Sequence, residues 1–182
     1  MTKQETVLVT GGSGYIGSWC VIGLLQQGYT VRTTVRNLAR ESAVRAAIGK
    51  VVDPQDRLSF HAADLTSDAG WDAAAGGCDY VLHVASPISI SEPKNPDELI
   101  VPARDGTRRA VGAALRAGVR RVVLTSSVAA ASPRALNSAR ESATDETTWT
   151  DLDDPAVNAY AHSKTLAERA AWDLMEATAG VT

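Results

Sequence analysis

The sequence predicts an α/β fold built on a doubly wound parallel sheet, and three observations carry that expectation. Short apolar runs rich in Val, Leu and Thr alternate with helical patterns from Thr6 to Ser126. Parallel strands need crossovers of this kind, and the crossing helices cover both sheet faces. The first run ends at a glycine cluster that opens directly into a helical pattern. The length, 182 residues at 45% apolar and 21% charged, fits one domain with a real core.

The elements follow in order. "TVLVT" over 6–10 is the first strand, and apolar residues at Ile16, Trp19, Cys20 and Leu24 give the next segment, 15–27, helical spacing. Gly28 stops that helix. "YTVRTTV" over 29–35 is the second strand, and Asn37 is placed to cap a second helix running through Ile48. Leu58 to Ala62 gives a third strand, Trp71 to Ala75 a small alanine-rich helix, and "CDYVLHVA" over 78–85 a fourth strand. A long helical pattern spans 96–117, in which Pro102 is expected to kink the helix or mark its effective start. "RVVLTS" over 121–126 is the fifth strand. Residues 128–155 lack sustained periodicity, and a loop that long in a compact domain is usually functional or disordered. Its position before the last helical segment, "NAYAHSKTLAERAAW" over 158–172, favours function.

Composition narrows the partners. The formal net charge is −3 with both signs interspersed, so no basic stripe points to nucleic acid and no polybasic segment to anionic lipid. No apolar run approaches the ~20 residues of a membrane span, and the amino-terminal residues enter a strand without a signal-peptide core. Two cysteines, Cys20 and Cys78, form neither a disulfide framework nor a metal-ligand spacing and read as buried thiols. The expectation is a cytoplasmic protein acting on a small molecule, with no metal.

"TGGSGYIG" sets Gly11, Gly14 and Gly17 three apart between strand and helix. Gly11 permits a sharp turn, Gly14 close approach of a phosphate, and Gly17 tight packing of helix on strand. Ser13, Tyr15 and Ile16 complete a loop whose amides would meet a pyrophosphate. NAD sites usually carry an acid at the end of the second strand, but this strand ends "TVRNLAR". Arg36, with Arg40 one turn on, suits a 2′-phosphate; the alternative is a pair of solvated arginines. NADP(H) is therefore preferred, with NAD(H) as the alternative. Asp64 and Leu65 of "ADL" lie where an adenine would rest, although Asp64 could equally cap a helix. Val84, Ala85 and Ser86 of "HVASP" end the fourth strand where small residues admit a cofactor, and His83 reads as a satisfied strand histidine.

Tyr160 and Lys164 are four apart in a helical segment and project from one face. A free phenol has a pKa near ~10 and is a poor proton donor at neutral pH. A neighbouring ammonium favours the phenolate and lowers that value. "LTSSVAA" adds Thr125 to the cofactor set and a hydroxyl, Ser127, at the carboxyl end of the fifth strand. By strand alternation Ser126 points to the opposite face.

With "TGGSGYIG", "ADL", "HVASP", "LTSSVAA" and "YAHSK" in this order, the sequence resembles the extended short-chain dehydrogenase/reductases over essentially all 182 residues. "VRTTVRN", "DETTWTD" and "YAHSKTLAERAAW" look like its dihydroflavonol reductase, cinnamoyl-CoA reductase and aldehyde/ketone reductase branch. The resemblance implies a Rossmann-type sheet of order 3-2-1-4-5, a Ser127–Tyr160–Lys164 triad with Lys164 also on the nicotinamide ribose, and NADPH-dependent reduction of a carbonyl to an alcohol. It implies Glu146 and Trp149 beside the substrate; the alternative is that Trp149 anchors the long loop and Glu146 caps or pairs locally. Trp172, in the last helical segment, reads as core rather than pocket. Ala103 stands where the epimerase branch often has an Asn. Members of the branch continue with a sixth strand and a smaller substrate domain, so the chain reads as a single domain truncated before that strand. A homodimer through the fourth and fifth predicted helices is a further expectation. The competing functions are an NAD-dependent nucleotide-sugar epimerase or dehydratase and a cofactor-binding module without turnover.

Overall fold

A computed structural model describes residues 5–89, 91–132 and 144–179. It divides into two units, Met1–Ala85 with Arg109–Thr125, and Ser86–Arg108 with Ser126–Thr182. The first holds a parallel sheet of β1 (Thr6–Val9), β2 (Thr30–Val35), β3 (Leu58–Ala62), β4 (Tyr80–His83) and β5 (Arg121–Leu124), in the order β3-β2-β1-β4-β5. That is the expected order. Val9 of β1 pairs with Thr33 of β2 and with Leu82 of β4.

Alternation along the strands feeds two cores. Val7 and Val9 pack with Val31, with Val21 and Leu25 of α1 (Tyr15–Gln26), and with Val44 and Ile48 of α2 (Glu41–Gly49). Leu8, between those two valines, faces the other way. It packs with Val81, with Trp71 and Ala74 of α3 (Trp71–Ala75), and with Ala110 and Ala114 of α4 (Asp97–Arg116). Side chains two apart share a face, so both faces of the central strand are buried.

Boundaries depart from expectation where side chains capture backbone groups. Asn37 caps as expected, its Oδ1 accepting from Ala39 N at 2.9 Å, but the turn it opens is a 3₁₀ turn, Leu38–Arg40, and α2 begins only after it. β4 is shorter than 78–85: Cys78 N donates to Ala75 O, closing the turn after α3, while Val84 and Ala85 donate to the Thr10 hydroxyl. Pro102 neither starts nor stops α4, which begins at Asp97 after Asn95 Oδ1 accepts from the Asp97 amide.

The second unit contains the first part of α4, a 3₁₀ turn at Val128–Ala130 and α5 (Ala159–Ala179). Asn158 Oδ1 accepts from Ala161 N at 2.9 Å and Glu92 Oε1 from Ala159 N at 2.8 Å, so two side chains satisfy amides of the first turn of α5. Ala159, Ala161, Ser163, Lys164, Thr165, Ala167 and Ala170 of α5 are all buried, on every side of the helix. Trp172 was expected in the core and is instead 56% exposed. It follows Ala170, the last buried residue of the helix, and Trp172, Asp173 and the residues from Met175 to Thr178 are exposed.

Among the described residues no helix is long and apolar enough to cross a membrane, and no three His, Cys, Asp or Glu side chains converge as for a metal. Cys78 is buried, and burial pushes its thiol pKa up; Cys20 is only partly buried.

Candidate cofactor site and reaction centre

In the first unit, the glycine loop is drawn tight by two threonines of β2, Thr33 and Thr34. Gly11 adopts φ +75°, the left-handed region a sharp turn demands, and a Cβ there would crowd Ala85 at 3.1 Å. Its amide donates to Thr34 Oγ1 at 2.9 Å, and the Gly12 amide to Thr34 O at 3.1 Å. Gly17 approaches the loop rather than the strand, since its Cβ would overlap the Gly11 carbonyl oxygen. Sequence reasoning missed Gly12: a Cβ there would run into the Thr33 side chain, with Thr33 Cγ2 at 2.9 Å. Only the doubled glycine of "TGG" hinted at it.

Gly14 is the residue before α1, exposed and extended, and no side chain caps the helix. No acid lies in the first turn of α1. The positive end of the helix is therefore uncompensated there, as a phosphate-binding loop requires. Ser13, Tyr15 and Ile16 are exposed along the same turn.

Thr10 joins the carboxyl ends of β1 and β4. Its Oγ1 accepts from Val84 N at 3.0 Å and Ala85 N at 2.9 Å and lies 2.9 Å from His83 Nδ1. With both acceptor sites of the hydroxyl used, its own proton is left for the contact with Nδ1. His83 is buried edge-on to Trp71 at 6.4 Å, the satisfied strand histidine expected.

Arg36 and Arg40 are exposed just after β2, with no carboxylate between them in the sequence. The Asp64 carboxyl is held below its usual range, first by the Thr66 hydroxyl and amide and further by the charges of Arg36 and Arg109. Its Oδ1 accepts from Thr66 N at 2.8 Å and Thr66 Oγ1 at 2.6 Å. Asp64 therefore closes a local turn at Thr66 rather than capping a helix, since α3 begins only at Trp71 without a side-chain cap. Trp71 Nε1 fixes the same loop through Asp64 O at 3.1 Å and Ser67 O at 2.9 Å, and partly buried Leu65 packs against the core below. Thr125 extends the β4–β5 ladder through His83 O.

In the second unit, Ser127 precedes the 3₁₀ turn, and its Oγ accepts from Ala129 N at 3.1 Å. Among the described residues its own hydrogen has no acceptor. Ser126 is directed differently, as alternation predicts: its hydroxyl donates to the Glu168 carboxylate of α5. Tyr160 and Lys164 both lie in α5, Tyr160 partly exposed and Lys164 only 6% exposed. Burial pushes the Lys164 ammonium pKa down, and the Glu168 charge pushes it back up. Ser86 is partly buried in this unit.

Part of the long loop, residues 133–143, lies outside the described residues. Beyond it, Thr150 Oγ1 donates to Ala129 O at 2.6 Å and accepts from Ser132 N at 2.9 Å, clasping the segment to the 3₁₀ turn. Arg169 of α5 stacks 5.1 Å from the centre of the Trp149 ring. These contacts match the anchoring reading of Trp149. The local capping considered for Glu146 falls to its neighbour Asp145, whose Oδ1 accepts from Thr147 N at 3.0 Å and Thr147 Oγ1 at 2.7 Å, while Glu146 is exposed.

Comparison with known proteins agrees with this fold. The chain is 40% identical over 173 residues to cinnamoyl-CoA reductase 2 of Medicago truncatula, covering 94% of this chain and 49% of that protein. It is 37% identical over 182 residues to dihydroflavonol 4-reductase of Arabidopsis thaliana, covering 97% and 47%. The crystal structure of yeast methylglyoxal/isovaleraldehyde reductase Gre2 complexed with NADPH superposes with a TM-score of 0.81 at 27% identity, over 96% of this chain and 54% of that one. The chain thus spans about half the length of these relatives. A family model for the NAD dependent epimerase/dehydratase family matches residues 7–182. With that match, the extended short-chain dehydrogenase/reductase resemblance holds in sequence and in fold, and the chain belongs to the NAD dependent epimerase/dehydratase family.

Proposed function

We propose that this chain carries the cofactor site and reaction centre of an NADPH-dependent reductase that converts an aldehyde or ketone to an alcohol. The observation that carries the reading is Lys164, buried to 6% exposure in α5 one turn after a partly exposed tyrosine. A buried ammonium is costly to maintain, and its worth here is the field it exerts on the Tyr160 phenol. The uncapped start of α1, the exposed Arg36 and Arg40, and the reductase relatives support the choice of cofactor and reaction class.

The cofactor, when bound, supplies a hydride. Gly11, Ser13, Gly14, Tyr15, Ile16 and Gly17 would hold the pyrophosphate through amides at the start of α1. Arg36, with Arg40, would bind the 2′-phosphate, and the absence of an acid at the end of β2 disfavours the bare ribose hydroxyl of NAD. Asp64, Leu65, Val84, Ala85, Ser86 and Thr125 would complete the cofactor-binding set. Ser127 would donate to the substrate carbonyl oxygen and orient it. Tyr160 would give that oxygen its proton as negative charge develops, and Lys164 would stabilise the phenolate left behind and bind the nicotinamide ribose.

The test is NADPH oxidation over a panel of aldehydes and ketones, with Tyr160→Phe as the comparison. The expected result is turnover in wild type and a loss of at least ~100-fold in the variant, the usual contribution of a positioned acid. Equal rates in the two proteins would remove Tyr160 from its role. Tight NAD binding, weak NADP binding and indifference to Arg36→Ala would replace reduction with the epimerase or dehydratase alternative.

A further inference from the structure

Of the three residues proposed for the reaction centre, Tyr160 and Lys164 ride on a helix of 21 residues, whereas Ser127 opens a 3₁₀ turn of three. A 3₁₀ turn has poorer hydrogen-bond geometry than an α-helix, and an isolated turn costs more to order than its few bonds return. Its hold on Ser127 must come from elsewhere. Two bonds inside the turn set that serine: its Oγ accepts from Ala129 N at 3.1 Å, and its carbonyl oxygen accepts from Ala130 N at 2.9 Å. Both donors belong to residues whose own carbonyl oxygens are gripped by Thr150.

Thr150 Oγ1 donates to Ala129 O at 2.6 Å, and Thr150 N donates to Ala130 O at 2.9 Å. The peptide joining Ala129 to Ala130 is thus held at both ends. It takes the Thr150 hydroxyl hydrogen at its oxygen and gives its N–H to Ser127, and bonds in such a chain polarise and strengthen one another. The same hydroxyl accepts from Ser132 N at 2.9 Å, and Ser132 Oγ donates to Val128 O at 3.0 Å. Thr150, Ala129, Ala130 and Ser132 are each 1% exposed, so water does not stand in for these partners. Within "DETTWTD", Glu146 is exposed and Trp149 stacks with Arg169, while Thr150 reaches the turn of Ser127.

We propose that Thr150 is a positioning residue for Ser127. Its hydroxyl and amide lock the 3₁₀ turn and so fix where the Ser127 hydroxyl stands; buried as it is, Thr150 touches neither substrate nor cofactor. The proposal rests on the reading of Ser127 as the hydroxyl that orients the carbonyl. Valine at 150 would keep the shape and the backbone bond and lose both hydroxyl bonds, whereas serine would keep the hydroxyl.

The test uses the full 182-residue chain and two readouts. In NADPH oxidation over the panel of aldehydes and ketones, Thr150→Val is expected to lower kcat roughly 10- to 100-fold, the effect of misplacing a reacting group by about an ångström. KM for NADPH should move by less than about twofold, and Thr150→Ser should recover most of the loss. In a Ser127→Ala background Thr150→Val should cost little more, because it acts through the serine. An unchanged kcat in folded Thr150→Val, or its full loss on top of Ser127→Ala, overturns the proposal. The second readout, amide hydrogen exchange at Ala129 and Ala130 followed by NMR, needs neither cofactor nor turnover. Both amides should be protected in wild type, exchange at least ~10-fold faster in Thr150→Val while the buried amides of α5 keep their protection, and recover in Thr150→Ser. Free exchange of the two amides in wild type overturns the proposal even if the valine variant does not fold, and unchanged protection in folded Thr150→Val does the same. A chain that shows the change in exchange but oxidises no NADPH supports the lock and counts against the reductase reading alone.

Discussion

Replacing Gly12 with alanine tests the packing beneath the glycine loop, at a position whose requirement is purely steric. The new Cβ would meet the Thr33 side chain, with Thr33 Cβ and Cγ2 both at 2.9 Å and Oγ1 closer still. Thr33 is 0% exposed and its hydroxyl donates to Val9 O at 2.7 Å, so it has two ways to yield. Turning its side chain gives up a buried hydrogen bond worth about 1 kcal/mol and leaves the rotamer well for about another. Moving the loop instead weakens the Gly11 and Gly12 bonds to Thr34 at a similar total. Both routes fall within the ~1–3 kcal/mol of ordinary overpacking. Gly12→Ala is therefore expected to lose about 2–3 kcal/mol, a fall in melting temperature of roughly 5–10 °C for a chain of this size. Urea denaturation followed by circular dichroism reads the loss. Thr33→Ala removes Oγ1 and Cγ2, and in that background the Gly12 substitution should become cheaper by about 1–2 kcal/mol. A loss under ~0.5 kcal/mol in the single variant, or strict additivity in the double, would refute the steric account.

Gly14→Ala makes the contrast: its Cβ meets only Gly11 O at 3.3 Å, so stability should change by well under ~1 kcal/mol while NADPH affinity falls, read by fluorescence titration. Arg36→Ala should weaken NADPH binding by roughly 10- to 100-fold and leave NADH binding nearly unchanged, as expected for loss of a charge-assisted bond of about 1.5–3 kcal/mol. Thr10→Val removes the acceptor of the Val84 and Ala85 amides and the hydroxyl contact of His83 Nδ1, and should cost about 2–4 kcal/mol in chemical denaturation. The Lys164 pKa is lowered on folding from 10.5, so the unfolded chain binds more protons between the folded value and 10.5. Wild type should then gain stability relative to Lys164→Met as pH rises through that window, with a flat difference below it; a gain on acidification would reverse the assigned sign.

The sheet was legible because each strand is a short apolar run set off by glycine or polar residues, and because the glycine loop fixes which strand comes first. The features that escaped prediction depend on side chains catching backbone groups across the fold. Nothing local in "HVA" says that Val84 and Ala85 will bond a threonine from β1 and so end β4 early. Trp172 read as core because tryptophan usually is, but it lies beyond Ala170, where the buried part of α5 ends. The proposed pair, Tyr160 and Lys164, was readable from a four-residue spacing within one helix. The partner of Ser126, by contrast, is 42 residues away in the chain and invisible to any local pattern.

The indole of Trp71 gives the fold an optical property. It is 2% exposed and its N–H is committed to two carbonyl oxygens of the Asp64–Ser67 loop, whereas Trp19 and Trp172 are 52% and 56% exposed. Emission from Trp71 should therefore lie to the blue of theirs and resist quenching by iodide. Loosening the loop that holds Asp64 and Leu65 would move that component to the red, so the side chain that shapes this loop also signals, without any added label, whether the loop is formed.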